Sequence, residues 1–237
     1  MENYICIGGK KTELTHAQVK ELGFAVTSPF MALVEAVKSG SIKDRYKIHD
    51  TIAAYNNAMM CNYWEFEIIG FDHDKVEGGG TAAVTLMVKA LTHSHVWHFG
   101  ACERGWIDTD LRRWLNEEFI NKLPDEIKPY LCSVVKTTHN YKGDAYETTD
   151  KLFIPSESEF FGSAVWSDYE DGARYEAFGT SEKRVKEDED GDPVWYWTRS
   201  AGGGSSTSAA LVSSHGGAYH TTATHTGIRV PVCFCIA

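Results

Sequence analysis

Three histidines lie close together in the sequence and could bind a metal ion. His93, His95 and His98 form an H-x-H-x-x-H pattern, and on a strand the first two side chains would project from the same face. Zinc uses sets of three histidines in catalytic sites. However, no carboxylate lies beside the histidines in the sequence to orient them, and Trp97 separates them. The pattern therefore favours a surface cluster at the end of a strand over a zinc site.

Two acidic segments could supply oxygen ligands to a cation. Residues 187–192 read Glu-Asp-Glu-Asp-Gly-Asp, and residues 72–74 read Asp-His-Asp. Alternating carboxylates with a glycine are typical of calcium loops, but the first segment lacks the full EF-hand spacing and its distal glutamate. Most runs of like charge are solvated. We therefore predict two hydrated turns, the second within a hairpin, and no bound metal.

The cysteines could carry redox or metal chemistry, but their spacing does not favour either. Cys233 and Cys235 alternate along an apolar terminal strand, so both side chains would lie on one face and pack as small hydrophobic groups. No CxxC pair accompanies them. The chain is also far larger than the small secreted proteins in which an even cysteine count implies disulfides. We predict reduced thiols at all six positions: Cys6, Cys61, Cys102, Cys132, Cys233 and Cys235.

The common catalytic and nucleotide-binding motifs are missing from the sequence. It contains no G-x-S-x-G elbow, Walker loop or G-x-G-x-x-G motif. The glycine run at residues 202–204 leads into serine and threonine rather than into a capped helix, so it does not predict a phosphate site. The sequence therefore predicts a protein that is not an enzyme and that uses no cofactor.

Charge and composition exclude several classes of partner. The net charge of −10 argues against a nucleic-acid backbone or an anionic membrane as the main partner. No run of about 18 apolar residues occurs, so no membrane insertion is expected. The first residues, MENYICIGGKK, lack the basic start and apolar core of a secretory signal. We therefore expect synthesis in the cytoplasm without a signal peptide.

The first 45 residues are predicted to form a small strand and helix appendage. A strand is expected at residues 3–7, followed by a short helix from Thr15. A second helix should begin at Ser28, with Pro29 in its first turn, and end near Ser39. About 42 residues are too few to hold a core alone, so we expect this appendage to serve in docking or assembly.

Residues 46–237 are predicted to form one α+β domain. Strands joined as a hairpin are expected at residues 64–69 and 83–90, and an amphipathic helix at 111–123 that is capped at Asp108–Asp110 and stopped by Pro124. Short strands should follow at 133–138 and 151–155. The domain would end with the segment 195–226.

This C-terminal segment has an unusual composition. Between Thr198 and Thr226 the chain contains no Lys, Glu, Gln, Met or Trp. None of these five types has a codon that ends in a pyrimidine. Random replacement of the two adenines of an Asn codon, AAC or AAT, yields residues such as Gly, Ser, Thr, His and Tyr, but never those five. The pattern indicates adenine-directed diversification, although a strand-and-turn region rich in Gly and Ser could also lack long side chains.

Several segments of the domain resemble an uncharacterised family of phage and prophage proteins from gut Firmicutes. They are WEFEIIGFDHDK (64–75), residues 82–90, GWIDTDLRRWLNEEFINKL (105–123), TTDKLFIPSESEFF (148–161), WYWTRS (195–200) and GIRVPV (227–232). That family is similar to the C-type lectin fold of formylglycine-generating enzymes. The resemblance covers residues 46–237 and implies that fold. It does not imply oxidase activity, because the copper-binding cysteines of those enzymes have no match here.

Some members of the wider fold are variable proteins of diversity-generating retroelements, which display rewritten residues on a ligand-binding face. The resemblance implies an invariant framework at Trp197, Arg199, Ser200, Gly216, Gly227 and Arg229. It implies ligand-binding display positions at Tyr196, Thr198, Gly202, Gly203, Ser205, Ser213, His215, Gly217, Tyr219, His220, Thr222 and His225. Here Val230 separates Arg229 from the proline that usually follows that arginine directly. Tyr, Ser, Gly and His suit an adaptable binding surface.

The resemblance also implies partners and a location. The expected ligand is a protein or glycan on a target cell surface, and the appendage could bind phage structural proteins. The protein would lie in the phage virion, or in the cytoplasm before lysis. Two alternatives stay open: a carbohydrate-binding or adhesion module of fixed specificity, and an enzyme of the sulfatase-modifying type, which would need a redox-active cysteine pair. The sequence names neither the ligand nor the oligomeric state.

Overall fold

The computed structural model describes the backbone of residues 4–7 and 10–13, and residues 28–55 and 63–237 in full. Strands β1 (Tyr4–Ile7) and β2 (Lys10–Glu13) pair as an antiparallel hairpin. The helix predicted from Thr15 lies outside the described residues. Helices and strands are mixed along the rest of the chain, which confirms the predicted α+β class.

Helix α1 (Pro29–Lys38) forms as predicted. The Ser28 side chain accepts a hydrogen bond from the Met31 N–H, and Pro29 occupies the first turn, where its missing N–H costs nothing. The buried face of α1 includes Phe30 and Leu33, which pack in the same core as residues of the following sheet. The predicted division at residue 45 stays a prediction, but α1 shares the core of the larger domain. The short helix α2 (Ile42–Arg45) follows it.

A four-stranded antiparallel sheet forms one layer of the core. Its strands lie in the order β11, β5, β4, β3, so the end of the chain pairs with β5. The predicted strands at 64–69 and 83–90 are confirmed as β4 and β5. Apolar side chains on both faces of β5 are buried, because this strand lies inside the sheet. The bounds are β3 Thr51–Tyr55, β4 Tyr63–Gly70, β5 Val84–Val88 and β11 Cys233–Ile236.

Helix α3 (Asp110–Glu117) confirms the start of the amphipathic helix but not its length. The Thr109 side chain caps it by accepting from the Arg112 N–H. After Glu118 the chain tightens into a 3-10 turn, Phe119–Lys122. Leu111, Leu115 and Phe119 are buried in the core, so the predicted apolar spacing is correct.

The middle of the chain forms a strand pair that the sequence predicted only in part. Strand β6 (Val134–His139) matches the expectation, and it pairs with β7 (Ala145–Asp150), which was not predicted. The predicted strand at 151–155 is wrong, since only Phe153 forms an isolated bridge, to Cys233. The segment AYETTD has few apolar residues and gave no strand signal. Helix α4 (Glu157–Phe161) and the short helix α5 (Ser181–Arg184) follow.

A three-stranded antiparallel sheet carries the C-terminal segment. Strand β9 (Ser208–Val212) lies between β8 (Tyr196–Ala201) and β10 (Ala218–Thr222), so β10 is an edge strand. The register between β8 and β9 shifts between Trp197 and Ala201. Such a bulge bends a strand and redirects its side chains. The Arg199 N–H donates to the Pro155 carbonyl, 3.0 Å away.

Candidate ligand-binding face

Strand β8 is the structural support of the C-terminal segment. All six of its residues are buried. Trp197 lies in the main hydrophobic core, and its indole N–H donates to the His95 carbonyl at 2.8 Å. Ser200 accepts a hydrogen bond from the Glu157 N–H at 3.0 Å. The inferred framework positions on β8 therefore hold the segment to the rest of the domain.

Arg199 lies at the centre of a network of buried charges. Its guanidinium group makes a two-point contact with the Glu159 carboxylate. Its Nη2 also donates to the Asp171 carbonyl at 2.9 Å and its Nε to the Thr138 hydroxyl at 2.9 Å. Planar, two-point contacts of this kind are the strong form of an ion pair. Arg199 thus joins β8 to α4 and β6.

Lys136 completes the buried charge network, which we define as Asp74, Lys136, Glu159 and Arg199. The Lys136 ammonium group contacts Asp74 and lies 2.8 Å from Glu159 Oε1. Tyr175 donates to both oxygens of Asp74 at 2.9 Å. Two carboxylates are balanced by two cations, so the network is neutral. Buried charges are tolerated when they are paired and hydrogen-bonded in this way.

The network shifts the pKa values of its acids. Burial alone would raise the pKa of Asp74, but Lys136 and His73 hold it well below its usual value. Burial likewise opposes the effect of Arg199 and Lys136 on Glu159, whose pKa is nevertheless lowered. Both carboxylates are therefore ionised in the folded protein near neutral pH. This network was not predicted from the sequence, although the S-x-x-E pattern at Ser156–Glu159, a capping box, marks one part of it.

Glu157 holds the loop that follows α4. Its buried carboxylate accepts hydrogen bonds from the backbone N–H groups of Val165, Trp166 and Ser167, each at 2.9 Å. Three donors on one carboxylate satisfy a charge that would otherwise be costly to bury. The loop is thereby fixed, and it presents the Trp166 ring to solvent, 41% exposed.

Nine of the twelve predicted display positions are exposed or partly exposed, and eight of them, all except Gly203, form one surface. They follow the β9–β10 hairpin and its flanking loops, and each is exposed or partly exposed. The hairpin turn is closed by the Ser213 N–H, which donates to the Gly217 carbonyl at 2.8 Å. We call these eight positions the C-terminal face: Ser205, Ser213, His215, Gly217, Tyr219, His220, Thr222 and His225.

Two predicted display positions, Tyr196 and Thr198, are wrong. Both side chains are fully buried. The Tyr196 hydroxyl donates to the Arg184 carbonyl at 2.5 Å, and the Thr198 hydroxyl donates to the Ala210 carbonyl at 2.9 Å. The resemblance implied display at Tyr196 and Thr198, but β8 is covered on both sides.

Two glycine positions also do not suit display. Gly202 is buried, and a Cβ there would lie 2.5 Å from the Ser208 hydroxyl oxygen. Gly203 is partly exposed, but a Cβ would overlap the Asp168 carboxylate, so a larger residue requires Asp168 to move. The Gly203 N–H donates to the Trp166 carbonyl at 2.6 Å. These glycines permit close backbone packing between the segment and the Trp166 loop.

The remaining framework positions differ from one another. Gly216 is buried with a φ of 75°, and a Cβ there would overlap the Ser181 carbonyl oxygen, so only glycine fits. Arg229 donates to the Thr92 carbonyl at 2.8 Å and pairs with Asp188 at 3.4 Å, which makes it a structural brace. Gly227, by contrast, is exposed, and its backbone does not require glycine.

A cleft of about 470 Å³ opens beside the hairpin. Pockets of this size are typical of small-ligand sites. The side chains around it are mostly aromatic, aliphatic or hydroxylic, with one guanidinium group, that of Arg229. The predicted positions Tyr219 and His225 contribute to it. The lining residues are Pro193, Val194, Trp195, Leu211, Tyr219, Thr221, His225, Gly227, Ile228 and Arg229.

The predicted histidine cluster does not converge on one point. His93 stacks on Trp64, with the ring centroids 6.0 Å apart, and burial lowers its pKa. His95 stacks on Trp114 at 4.8 Å, and His98 contacts Asp110 at 2.9 Å. Each imidazole is thus partly buried with a partner of its own, and the set is more internal than the predicted surface cluster.

The carboxylates of the two acidic segments differ in their burial and partners. Residues 187–192 form a turn in which the Asp188 carboxylate accepts from the Asp190 and Asp192 N–H groups. Asp72 is exposed and pairs with Lys43. Asp74, however, is buried in the charge network, so the prediction of a hydrated carboxylate at this position is wrong.

Within the described ranges, one group of side chains has metal-ligand geometry: His73, Asp74 and Glu159. His73 Nε2 lies 2.9 Å from the Ala173 carbonyl, and its ring stacks on Tyr175 at 3.8 Å. The Lys136 ammonium group already contacts both carboxylates. A metal ion would have to displace that cation, so the donor set fits an internal ion-pair network better than a metal centre.

The described cysteines are buried or partly buried thiols. Cys233 and Cys235 lie two positions apart on β11, and burial raises the pKa of each well above its usual value. Burial also raises the pKa of Cys102 to about 12 and that of Cys132 to about 11. The thiolate is the reactive form of cysteine. These sites therefore favour packing over redox chemistry.

The fold and site define an α+β protein that exposes a C-terminal hairpin on a buried, charge-braced strand. The chain belongs to the family described as "Domain of unknown function (DUF6273)", whose model matches residues 82–237. The matched region includes Lys136, Glu159, Arg199 and the whole C-terminal face. No curated protein and no solved structure matched the chain. In the described part of the chain, every helix is too short or too polar to cross a membrane.

Proposed function

We propose that this protein binds a ligand on a target cell surface through its C-terminal face, within a C-type lectin fold of the formylglycine-generating-enzyme type. The proposal rests on one observation, the separation of buried framework residues from accessible residues along positions 196–229. Trp197, Arg199, Ser200 and Gly216 are buried in fixed contacts, whereas the eight positions of the C-terminal face are accessible. Changes at accessible positions cost little stability, typically within about 0.5 kcal/mol.

This separation also supports diversification of the face by an adenine-specific retroelement. Each of the eight positions carries a residue whose codon can end in a pyrimidine. The buried charge network and the core lie elsewhere, so replacement at the eight positions leaves the support of the hairpin intact. Tyr196, Thr198, Gly202 and Gly203 are left out of the proposed variable set because their packing restricts replacement.

Binding can be tested with labelled protein and a panel of intact Firmicutes cells, measured by flow cytometry. We expect the double variant Tyr219→Ala/His220→Ala to lose binding. Tyr63→Ala is the matched control, because Tyr63 is an exposed tyrosine, 56% against 48% for Tyr219, on the four-stranded sheet. Equal binding by the double variant and the wild type would contradict the proposed site.

Diversification has its own test at the level of the gene. The coding locus should be sequenced from many cells of the source population. We expect a nearby imperfect copy of the segment that encodes residues 195–237, with adenines where the two copies differ, and a reverse transcriptase gene beside it. An invariant segment without such a copy would support the second candidate, an adhesion or carbohydrate-binding module of fixed specificity. The cleft of about 470 Å³ is compatible with either candidate.

The protein would act in a phage virion, and its N-terminal residues would bind phage structural proteins. A catalytic role of the sulfatase-modifying type is disfavoured by the desolvated thiols of Cys233 and Cys235, since such a role needs an accessible thiolate.

A further inference from the structure

Four aromatic side chains form a continuous row along the edge of the C-terminal face. The rings of Trp166 and His220 are 4.4 Å apart, those of His220 and Tyr219 are 5.9 Å apart, and those of Tyr219 and Trp195 are 5.3 Å apart. Three of them are substantially exposed: Trp166 at 41%, Trp195 at 38% and Tyr219 at 48%. We call this the aromatic row. Exposed aromatic groups that are contiguous, rather than scattered, indicate a binding surface.

The two ends of the aromatic row are tryptophans, whereas Tyr219 and His220 form its middle. Tryptophan has one codon, TGG, which ends in a purine, so Trp166 and Trp195 cannot arise by adenine replacement in an AAC or AAT codon. Tyr219 and His220 can. Under the proposed function, every variant of the face would therefore keep both tryptophans while positions 219 and 220 change.

Trp166 is held in place by contacts with residues outside the proposed variable positions. The Glu157 carboxylate accepts the Trp166 N–H at 2.9 Å, and the Trp166 carbonyl accepts the Gly203 N–H at 2.6 Å. Glu157 is in turn fixed by Ser200, whose hydroxyl accepts the Glu157 N–H at 3.0 Å. The loop is thus ordered before a ligand arrives, which lowers the entropic cost of binding.

The part of the C-terminal segment beside the row is polar but has no acidic, Lys or Arg side chains. Residues 200–228 contain no Lys, Arg, Asp or Glu, and they are rich in Ser and Thr hydroxyl groups. Of the residues that line the cleft, all of them described, only Arg229 carries a full charge, and it pairs with Asp188 at 3.4 Å. The nearest exposed carboxylate is Asp168, which lies against Gly203. An anionic ligand would therefore find no free counter-charge among these residues, and the net charge of −10 would repel it.

A ligand that suits this surface has flat apolar faces, hydroxyl edges and no negative charge. A sugar ring of a neutral glycan has those three properties, because its C–H groups pack on aromatic faces and its hydroxyls exchange hydrogen bonds with Ser and Thr. Protein–protein interfaces are instead enriched in Arg as well as in aromatic residues, and residues 200–228 contain no Arg. The fixed tryptophans would recognise the feature that all ligands share, and the variable positions would distinguish among them.

We propose that Trp166 and Trp195 are fixed anchors that stack on the sugar rings of uncharged glycans, with positions 219 and 220 selecting among glycans. This inference rests on the proposed function, and it adds a ligand class and a binding residue, Trp166, outside the C-terminal segment. Glu157 is a positioning residue, since it acts through the Trp166 loop.

The test compares labelled wild-type protein with Trp166→Ala, Trp195→Ala and the control Tyr63→Ala, on intact cells and on an array of oligosaccharides. The array carries neutral glucans, galactans, mannans and N-acetylhexosamine oligomers, with sialylated, sulfated and uronic-acid glycans for comparison. We expect binding to neutral members, a loss of about tenfold in affinity for each tryptophan variant and no change for Tyr63→Ala. Trp166→Phe should retain more affinity than Trp166→Ala.

Treatment of the cells separates the two proposals. Periodate cleaves vicinal diols, so it should abolish binding where the bound glycan has linkages that leave such diols free. Protease treatment should not abolish binding. Binding that depends on Tyr219 but is lost after protease and survives periodate would overturn the glycan inference and leave the proposed function intact. Binding to charged glycans alone, or binding that is insensitive to both tryptophans, would also overturn the inference. Binding that does not depend on Tyr219 or His220 would contradict the proposed function itself.

The role of Glu157 has a separate readout. In Glu157→Gln the amide oxygen can still accept a hydrogen bond, but the charge is lost. We expect faster hydrogen exchange at the Val165, Trp166 and Ser167 amides and weaker glycan binding, with the melting temperature changed less than the exchange rates. Unchanged exchange at these three amides would show that Glu157 does not position Trp166.

Discussion

Arg199 and Glu159 form a two-point ion pair in the interior, with Arg199 Nη2 3.2 Å from Glu159 Oε1. Both residues are almost completely buried, and they lie 40 residues apart in the chain. The pair connects β8, which supports the exposed hairpin, to α4, whose Glu157 fixes the Trp166 loop. One buried contact thus holds together the two parts of the molecule that border the C-terminal face.

Replacement of Arg199 by alanine should destabilise the protein strongly. It would leave Glu159 without one of its two cations in a buried site, and such losses cost about 3–5 kcal/mol. His215→Ala is the matched comparison, because His215 is exposed on the hairpin turn and should change stability by less than about 0.5 kcal/mol. Urea denaturation followed by fluorescence measures both. The reverse order of stability would show that the framework and display roles are misassigned.

Gly216 and Gly217 offer a test on adjacent residues. Gly216→Ala should be destabilising, because its φ is 75° and the new methyl group would overlap the Ser181 carbonyl oxygen. Gly217→Ala should be nearly neutral, since its Cβ would meet only the Ser213 hydroxyl oxygen at 3.5 Å. Melting curves of the two variants should therefore differ clearly. Equal melting temperatures would mean that the hairpin turn is not fixed against α5.

Stability should fall in acid because of the buried charge network. The folded pKa values of Asp74 and Glu159 are lowered, so these carboxylates stabilise the protein above their unfolded pKa values of about 3.8 and 4.5. That contribution is lost as the pH falls through the folded pKa values. Asp171, whose pKa is raised by burial, acts in the opposite direction. Urea denaturation between pH 3 and pH 8 should show a decline that begins near pH 4.5.

Lys136→Met identifies the source of that decline. At neutral pH it leaves Asp74 and Glu159 without their shared ammonium group, so we expect a loss of about 3–5 kcal/mol. Protonation neutralises the carboxylates in acid, and the difference from the wild type should then narrow. A difference that stays constant with pH would indicate a packing defect rather than a loss of charge pairing.

The described thiols should react slowly in the folded protein. Burial raises the pKa of Cys102 to about 12 and that of Cys132 to about 11, and it raises those of Cys233 and Cys235 well above the usual value. Iodoacetamide labelling at pH 8, read by peptide mass spectrometry, should modify these four residues only after unfolding. Rapid labelling of Cys233 or Cys235 in the native state would favour the redox-enzyme alternative.

Local sequence patterns predicted several elements correctly. The Ser28 cap with Pro29, the Thr109 cap and the apolar spacing of Leu111, Leu115 and Phe119 all appear in the structure. These features depend on neighbours within one or two turns of a helix. Strand β7 was missed because AYETTD carries no apolar alternation, and its pairing with β6 supplies the stabilisation that its composition lacks.

Within the C-terminal segment, the sequence by itself determined which residue types are present: small, hydroxylic and aromatic ones, without Lys or Glu. It could not determine which positions are exposed. Tyr196 and Tyr219 are the same residue type, yet one is buried in a covered strand and the other is on the surface of an edge strand.

Tertiary structure decided that difference, and it also brought Asp74, Lys136, Glu159 and Arg199 into one network. These residues are separated by 23 to 62 positions in the pairs that touch. Composition and periodicity report on local neighbours, whereas burial and charge pairing depend on which distant segments pack together. For the same reason, no local pattern predicted that Trp166 lies beside His220. The Glu157 carboxylate and the Gly203 N–H hold the Trp166 backbone at that place.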